Sequence, residues 1–281
     1  MWTSVYAITV HTEKLAEWRD KMNQIDIFNE TVEASSTFYG EHTRELVRNT
    51  KVYEYPINDL LFMPHPKMPN KDMKINIVNG STADIAEKCA VDNIRVAVLN
   101  FANPIIPGGA VKEGGIAQEE SLCKCSNLYW SLVSDEAKTK FYEPNKDSYG
   151  ARVIYSPNVV FFRDDLHDYE PLKHPFVADV ITCDAPYHDK NEYTQFELDL
   201  IHDKALQIVK SAILNKVDIL VLGAWGCGVF HQDPFVIANT FKDILSEYSA
   251  FDRVVFAILN STTNEGVFKQ VFRDFKVGDL K

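Results

Sequence analysis

The stretch Asn103-Pro-Ile-Ile-Pro-Gly-Gly-Ala-Val-Lys-Glu-Gly-Gly-Ile-Ala-Gln-Glu-Glu-Ser-Leu-Cys-Lys-Cys125 holds two glycine pairs, no aromatic residue and a Gln-Glu-Glu triplet at the start of an amphipathic pattern. It follows an apolar run, Arg95 to Leu99, that reads as a buried strand, so it is a strand-to-helix loop. Glycine lets a backbone approach a ligand closely, and the helix that follows presents unpaired N–H groups and a dipole that favours an anion. A phosphate fits that environment.

The same rhythm continues on both sides. Strands are expected at Lys74 to Val78, Arg95 to Leu99, Val153 to Tyr155, Val159 to Phe162, Phe176 to Thr182, Ile219 to Leu222 and Val254 to Ile258. Helices are expected at Thr82 to Ala90, Gln118 to Val133, Thr194 to Asn215 and Pro234 to Tyr248, the last opened by an Asp233-Pro234 cap. The alternation predicts a three-layer α/β/α sandwich on a largely parallel sheet, with ligands at the carboxyl ends of strands. The aromatic run Val159 to Phe162 belongs to the core. The first seventy residues read differently: a helical pattern over Glu13 to Glu33 carries Leu15, Trp18, Met22 and Ile25, and a wrap with four prolines follows over Tyr53 to Pro69. The expected division is an N-terminal, mainly helical extension over 1–73 and a core over 74–281.

A second loop repeats the geometry. Gly223-Ala-Trp-Gly-Cys-Gly-Val-Phe230 joins the strand ending at Leu222 to the helix at Pro234. Neither loop has dinucleotide or P-loop spacing, and a glycine-rich turn alone is common in α/β proteins. Two on one sheet edge suggest a diphosphate held between them. Acidic residues in a first helical turn are often structural. At the end of a glycine loop they serve chemistry instead: neighbours on a helix diverge by about a hundred degrees, so one carboxyl aims at a reacting centre and the other binds elsewhere.

Composition narrows the partners. Across 281 residues the chain carries 29 basic and 40 acidic residues, a formal charge of −11, which disfavours nucleic acid and anionic membranes. Five scattered cysteines have no CxxC spacing, so neither a disulfide framework nor a zinc site is expected. No run approaches the roughly 18 apolar residues of a membrane span, and no export signal precedes the helical pattern. A monomer in a reducing cytoplasm is the expectation. Cys227 with His231 is a candidate nucleophile and base, but no third group orients them. His167, His174 and His188 match no metal motif and are expected mostly at the surface.

Taken as one string, GGAVKEGGIAQEESLCKCSNLY, residues 108–129, resembles the signature of bacterial-type poly(ADP-ribose) glycohydrolases, a glycine triplet followed by Gln-Glu-Glu. NFANP at 100–104, YSPNVVFFRDD at 155–165, VADVITCDAP at 177–186 and VLGAWGCGVFHQDP at 221–234 agree with it. The resemblance implies a macrodomain-like mixed sheet with an N-terminal helical extension. It implies hydrolysis of the ribose–ribose bond of poly(ADP-ribose) carried by modified proteins, releasing ADP-ribose without metal or cofactor. A non-catalytic ADP-ribose reader and a mono-ADP-ribosyl hydrolase are the alternatives.

By resemblance, Glu120 is the acid/base and Glu119 binds ribose hydroxyls, with Gln118 and Asn103 beside them. Gly108, Gly109 and Ala110 pass the terminal ribose. Gly226, Cys227, Gly228 and Val229 wrap the diphosphate, and Phe230 packs on the distal ribose. Adenine falls near Asn79 to Asp84. One departure stands out: the third glycine is Ala110, and its β-carbon costs roughly 1 kcal/mol or more if the position needs positive φ.

Overall fold

The computed structural model describes residues 23–54, 70, 72–147 and 150–278. Most of the N-terminal helical pattern before residue 23, and nearly all of the proline-rich wrap, lie outside them. Seven strands form one sheet: β1 Lys51–Glu54, β2 Lys74–Val78, β3 Val96–Phe101, β4 Arg152–Arg163, β5 Pro171–Cys183, β6 Ile219–Gly223 and β7 Arg253–Ala257, in the order β1-β4-β5-β3-β6-β7-β2. The sheet is largely parallel, as the alternation predicts, and mixed through one strand, as the resemblance implies. β5, β3, β6, β7 and β2 are mutually parallel, while β4 runs antiparallel to both of its neighbours.

Period-2 alternation sorts the strands onto two cores. In β3, Ala97 and Leu99 face one cluster and Val96 and Val98 the other; in β7, Val254 and Phe256 oppose Val255 and Ala257. The first face is covered by α8 Gln195–Leu214, α9 Pro234–Glu247 and α10 Thr262–Val271, through side chains such as Ile208, Phe241 and Phe268. The second is covered by α3 Thr82–Cys89, α4 Gln118–Cys125, α5 Leu128–Leu132 and the helices nearer the N-terminus. Those are α1, described over 23–37, and α2 Gly40–Asn49. Two short helices, α6 Asp135–Ala137 and α7 Glu143–Asp147, join α5 to β4 through a π turn.

The caps follow from local chemistry. Asp233 accepts from the N–H of Phe235 at 2.7 Å with Pro234 at the first turn, as expected. Thr194 and Glu197 close a full capping box on α8.

Three expectations are corrected. The helix drawn from Gln118 to Val133 is two, because Ser126 leaves the helical path and bridges Phe161 of β4. Val153–Tyr155 and Val159–Phe162 are one strand, whose register shifts between Ser156 and Val159. That bulge absorbs the Pro157-Asn158 pair between them. The seventh strand is instead β1, too short and too polar at Lys51 and Glu54 to stand out, which pairs with β4 at the sheet edge. Among the described residues no helix is long and apolar enough to cross a membrane.

Candidate active site

Because five neighbouring strands are parallel, the loops leaving their carboxyl ends gather on one edge. The longest leaves β3. Its base is closed by Gln118, whose Oε1 accepts from the Phe101 N–H at 2.9 Å while its Nε2 donates to the Leu99 carbonyl at 2.7 Å and to Thr82 Oγ1 at 3.1 Å. The amide of Gln118 is therefore spent on holding α4 to the strand end. Gly108 and Gly109 both take positive φ, +76° and +58°. A β-carbon on Gly109 would lie 2.3 Å from Glu120 Oε1, so nothing larger than glycine fits there. Ala110 has φ −93°, a value open to any residue, so the alanine in the third position meets no left-handed strain.

Glu119 and Glu120 are 3% and 7% exposed. Although helical spacing sets their Cβ atoms apart, their carboxyls meet at one place: Glu120 Oε1 and Glu119 Oε2 would lie 2.3 and 3.1 Å from a β-carbon on Gly109. Three flexible bonds per glutamate override the spacing of the Cβ atoms. Glu119 accepts from the Asn103 N–H at 2.7 Å and from Asn100 Nδ2 at 3.3 Å. Burial nevertheless pushes its carboxyl up to about 8, with the Glu120 charge a smaller contributor. Glu120 Oε1 accepts from the Ala110 N–H at 2.8 Å, and its Oε2 is buried without a partner among the described residues. Asn103 enters through its backbone; its side-chain oxygen accepts from the N–H groups of Ile105 and Ile106 and shapes its own turn.

In the second loop, Gly226 has φ +76° and lies against Ala185 and Gln232, where a β-carbon would come within 2.7 Å of each. Gly228 faces open space, and Val229 is 74% exposed. Phe230 packs edge-on against Tyr187, ring centroids 6.4 Å apart. Between the two loops lies a cleft of about 410 Å³, within the range of small-ligand sites. Gln118, Gly226, Gly228, Val229 and Phe230 line it, and Gly80 to Thr82 of the expected adenine segment do as well. The two glutamates stand just behind its wall, flanked by Ala117, Gln118 and Ser121 in it.

Asp165, Ser121 and Tyr169 also line the cleft and escaped the sequence reading. Asp165, just beyond β4 in the β4–β5 connection, accepts from Ser81 Oγ at 2.8 Å and from Ser121 Oγ at 3.2 Å, and Tyr169 donates to Ser121 Oγ at 3.2 Å. Burial raises the Asp165 carboxyl. The only trace in the sequence was the Asp164-Asp165 pair closing an apolar strand.

The rival arrangements do not assemble. Burial pushes the Cys227 thiol up to about 12, and its sulfur lies 3.7 Å from the Trp225 carbonyl rather than on a base. His231 instead packs its ring on Tyr187. His188 is not at the surface: it is buried and stacked on Tyr193 at 3.9 Å. Among the described residues no three His, Cys, Asp or Glu side chains gather as a metal site, and all five cysteines are free.

Comparison with known proteins agrees with this architecture. The family model for the microbial-type PARG catalytic domain matches residues 21–164. No curated protein sequence matches. Among solved structures, the poly(ADP-ribose) glycohydrolase (PARG) of Deinococcus radiodurans in complex with ADP-ribose is 30% identical, over 82% of this chain and 96% of that one, with a TM-score of 0.72. The PARG of Thermomonospora curvata is 29% identical over 90% of this chain and 100% of that one, TM-score 0.78. The same enzyme bound to the inhibitor ADP-HPD is 28% identical over 89% and 99%, TM-score 0.76. With a family match over half its length and this likeness over most of it, the chain belongs to the microbial-type poly(ADP-ribose) glycohydrolases, a family of glycohydrolases with a macrodomain-like fold.

Proposed function

We propose that this protein hydrolyses the ribose–ribose O-glycosidic bond of poly(ADP-ribose) on modified proteins and releases ADP-ribose, with Glu120 as acid/base. The observation that carries the reading is the convergence of two buried carboxyls on Gly109, with Glu120 Oε2 lacking a partner among the described residues, on the helix whose Gln118 and Ser121 line a ligand-sized cleft. That the D. radiodurans relative was crystallised with ADP-ribose supports ADP-ribose as the ligand. In this reading the terminal ribose lies along Gly108, Gly109 and Ala110, and the diphosphate along Gly226 to Val229. Phe230 orients the distal ribose.

Breaking the bond at C1 builds oxocarbenium character and requires a proton on the leaving oxygen. The buried pair keeps a proton near neutral pH, chiefly because burial disfavours a charged Glu119. Glu120 passes a proton through Oε2 to the leaving ribose hydroxyl, then as a carboxylate takes one from the water that attacks C1. The proton delivered by Glu120 is the one the pair holds, and Glu119, held by Asn100 and Asn103, then accepts from ribose hydroxyls as a carboxylate.

The test is release of ADP-ribose from poly(ADP-ribosyl)ated and, separately, mono-ADP-ribosylated protein, by the parent chain and by Glu120→Gln. Polymer shortening by the parent alone is expected. Binding of ADP-ribose without cleavage of either substrate would make the protein a reader, and cleavage of the mono-modified substrate alone would move the activity to a different acceptor.

A further inference from the structure

Lys124 is fully buried at 0% exposure, yet it makes no ion pair among the described residues. An uncompensated buried ammonium is costly unless its donors are placed. Its Nζ donates to the Gly115 carbonyl at 3.0 Å and to Gln24 Oε1 of α1, and lies 4.7 Å over the ring of Tyr169. Burial lowers it to about 8, and the charge that opposes this most is that of Glu120, one turn earlier on α4.

The bonds form a closed ring. Glu120 holds the Ala110 N–H, the Ala110 carbonyl accepts from the Gly115 N–H at 2.8 Å, and the Gly115 carbonyl accepts from Lys124. Glu120 and Lys124, four residues apart, thus pin both ends of the segment 110–115 to one helix face. Gly115 packs so close that a β-carbon there would lie 3.0 Å from Glu120 Cγ, so a shift of Gly115 is a shift of Glu120. Behind the ring stands α1: besides Gln24, its Thr31 Oγ1 donates to the Lys124 carbonyl at 2.7 Å, and its Phe28 packs edge-on against Tyr129, whose ring lies under Gly108.

We propose that Lys124 is a positioning residue of the active site, and that α1 of the N-terminal extension, through Gln24, is part of the apparatus that sets Glu120. The inference rests on the glycohydrolase reading above. It accounts for a buried lysine that proton transfer itself does not use, and it gives the N-terminal helix a role beyond covering the sheet.

The test uses the full chain with Lys124→Met, Lys124→Arg and Gln24→Leu, measuring kcat and KM on poly(ADP-ribose), ADP-ribose affinity, and amide exchange across 108–115. A displacement of about 1 Å costs on the order of a hundredfold, so Lys124→Met should lose about 30- to 100-fold in kcat with KM and affinity within about threefold. Exchange at Ala110 and Gly115 should rise. Lys124→Arg should recover most of kcat, and Gln24→Leu, a change outside the core, should lose about three- to tenfold in the same direction. Unchanged kcat and exchange in Lys124→Met, or in Gln24→Leu if the first variant does not fold, would overturn the proposal. If the parent cleaves no polymer, the glycohydrolase reading fails by itself, and amide exchange still decides: faster exchange in both variants upholds the coupling, while unchanged exchange rejects it.

Discussion

Glu120 Oε1 accepts the backbone N–H of Ala110 at 2.8 Å, which leaves Oε2 of the same carboxyl buried and, among the described residues, without a partner. One oxygen fixes the side chain and the other is free to act. Glu120→Gln keeps a carbonyl for Ala110, so ADP-ribose affinity should stay within about threefold while turnover falls by about 10²–10⁴, the usual worth of a general acid–base. Calorimetry and product release on one preparation check both halves.

Gly109 and Ala110 should respond in opposite ways. Gly109→Ala places a β-carbon 2.3 Å from Glu120 Oε1 at φ +58°, so we expect a stability loss of about 1–3 kcal/mol and at least about a hundredfold loss of activity. Ala110→Gly relieves nothing, since φ is already −93°; it should cost about 0.5–1 kcal/mol by backbone entropy and far less activity. Denaturant melts and initial rates on the two variants separate these effects.

Glu119 makes stability depend on pH. Its carboxyl is pushed from an ordinary 4.5 up to about 8, so between these values the folded protein binds a proton that the unfolded chain has released. Its contribution is therefore complete below about 4.5 and is lost as pH rises through about 8. The gap in stability between Glu119→Gln and the parent should shift in the variant's favour across that window, by at most about 1.4 kcal/mol per pH unit. Unfolding curves at intervals from pH 5 to pH 9 (roughly the window in question) read it directly, and a gap independent of pH would contradict the assignment.

Phe230 stands at the cleft with its ring edge-on to Tyr187. Phe230→Ala should weaken ADP-ribose binding by about tenfold and raise KM more than it lowers kcat, as expected of a group that orients substrate without entering the chemistry.

Cys227 gives the opposite control. With its thiol pushed up to about 12, it should alkylate slowly at neutral pH, and Cys227→Ala should keep more than about a tenth of the parent rate. Loss of all activity in that variant would restore the cysteine nucleophile.

Much of this protein was legible in the chain itself. Consecutive apolar residues in Val96 to Leu99 and Val254 to Ile258 marked strands buried on both faces, and the Asp233-Pro234 cap marked the start of α9, because these signals act within a few residues. The two glycine loops and Gln118-Glu119-Glu120 were evident for the same reason. What depends on contacts between distant residues was decided only by the tertiary structure. The antiparallel β4, the bulge at Ser156, and the break at Ser126 arise from strand pairing that no local pattern encodes. The meeting of both carboxyls at Gly109 and the ordinary φ of Ala110 depend on how a sixteen-residue loop, 102–117, closes on α4. Asp165 meets Ser81 across 84 residues, and Gln24 meets Lys124 across 100. Sequence sets which side chains can do the chemistry; their protonation and aim come from burial and from long-range hydrogen bonds, which exist only once the layers have packed.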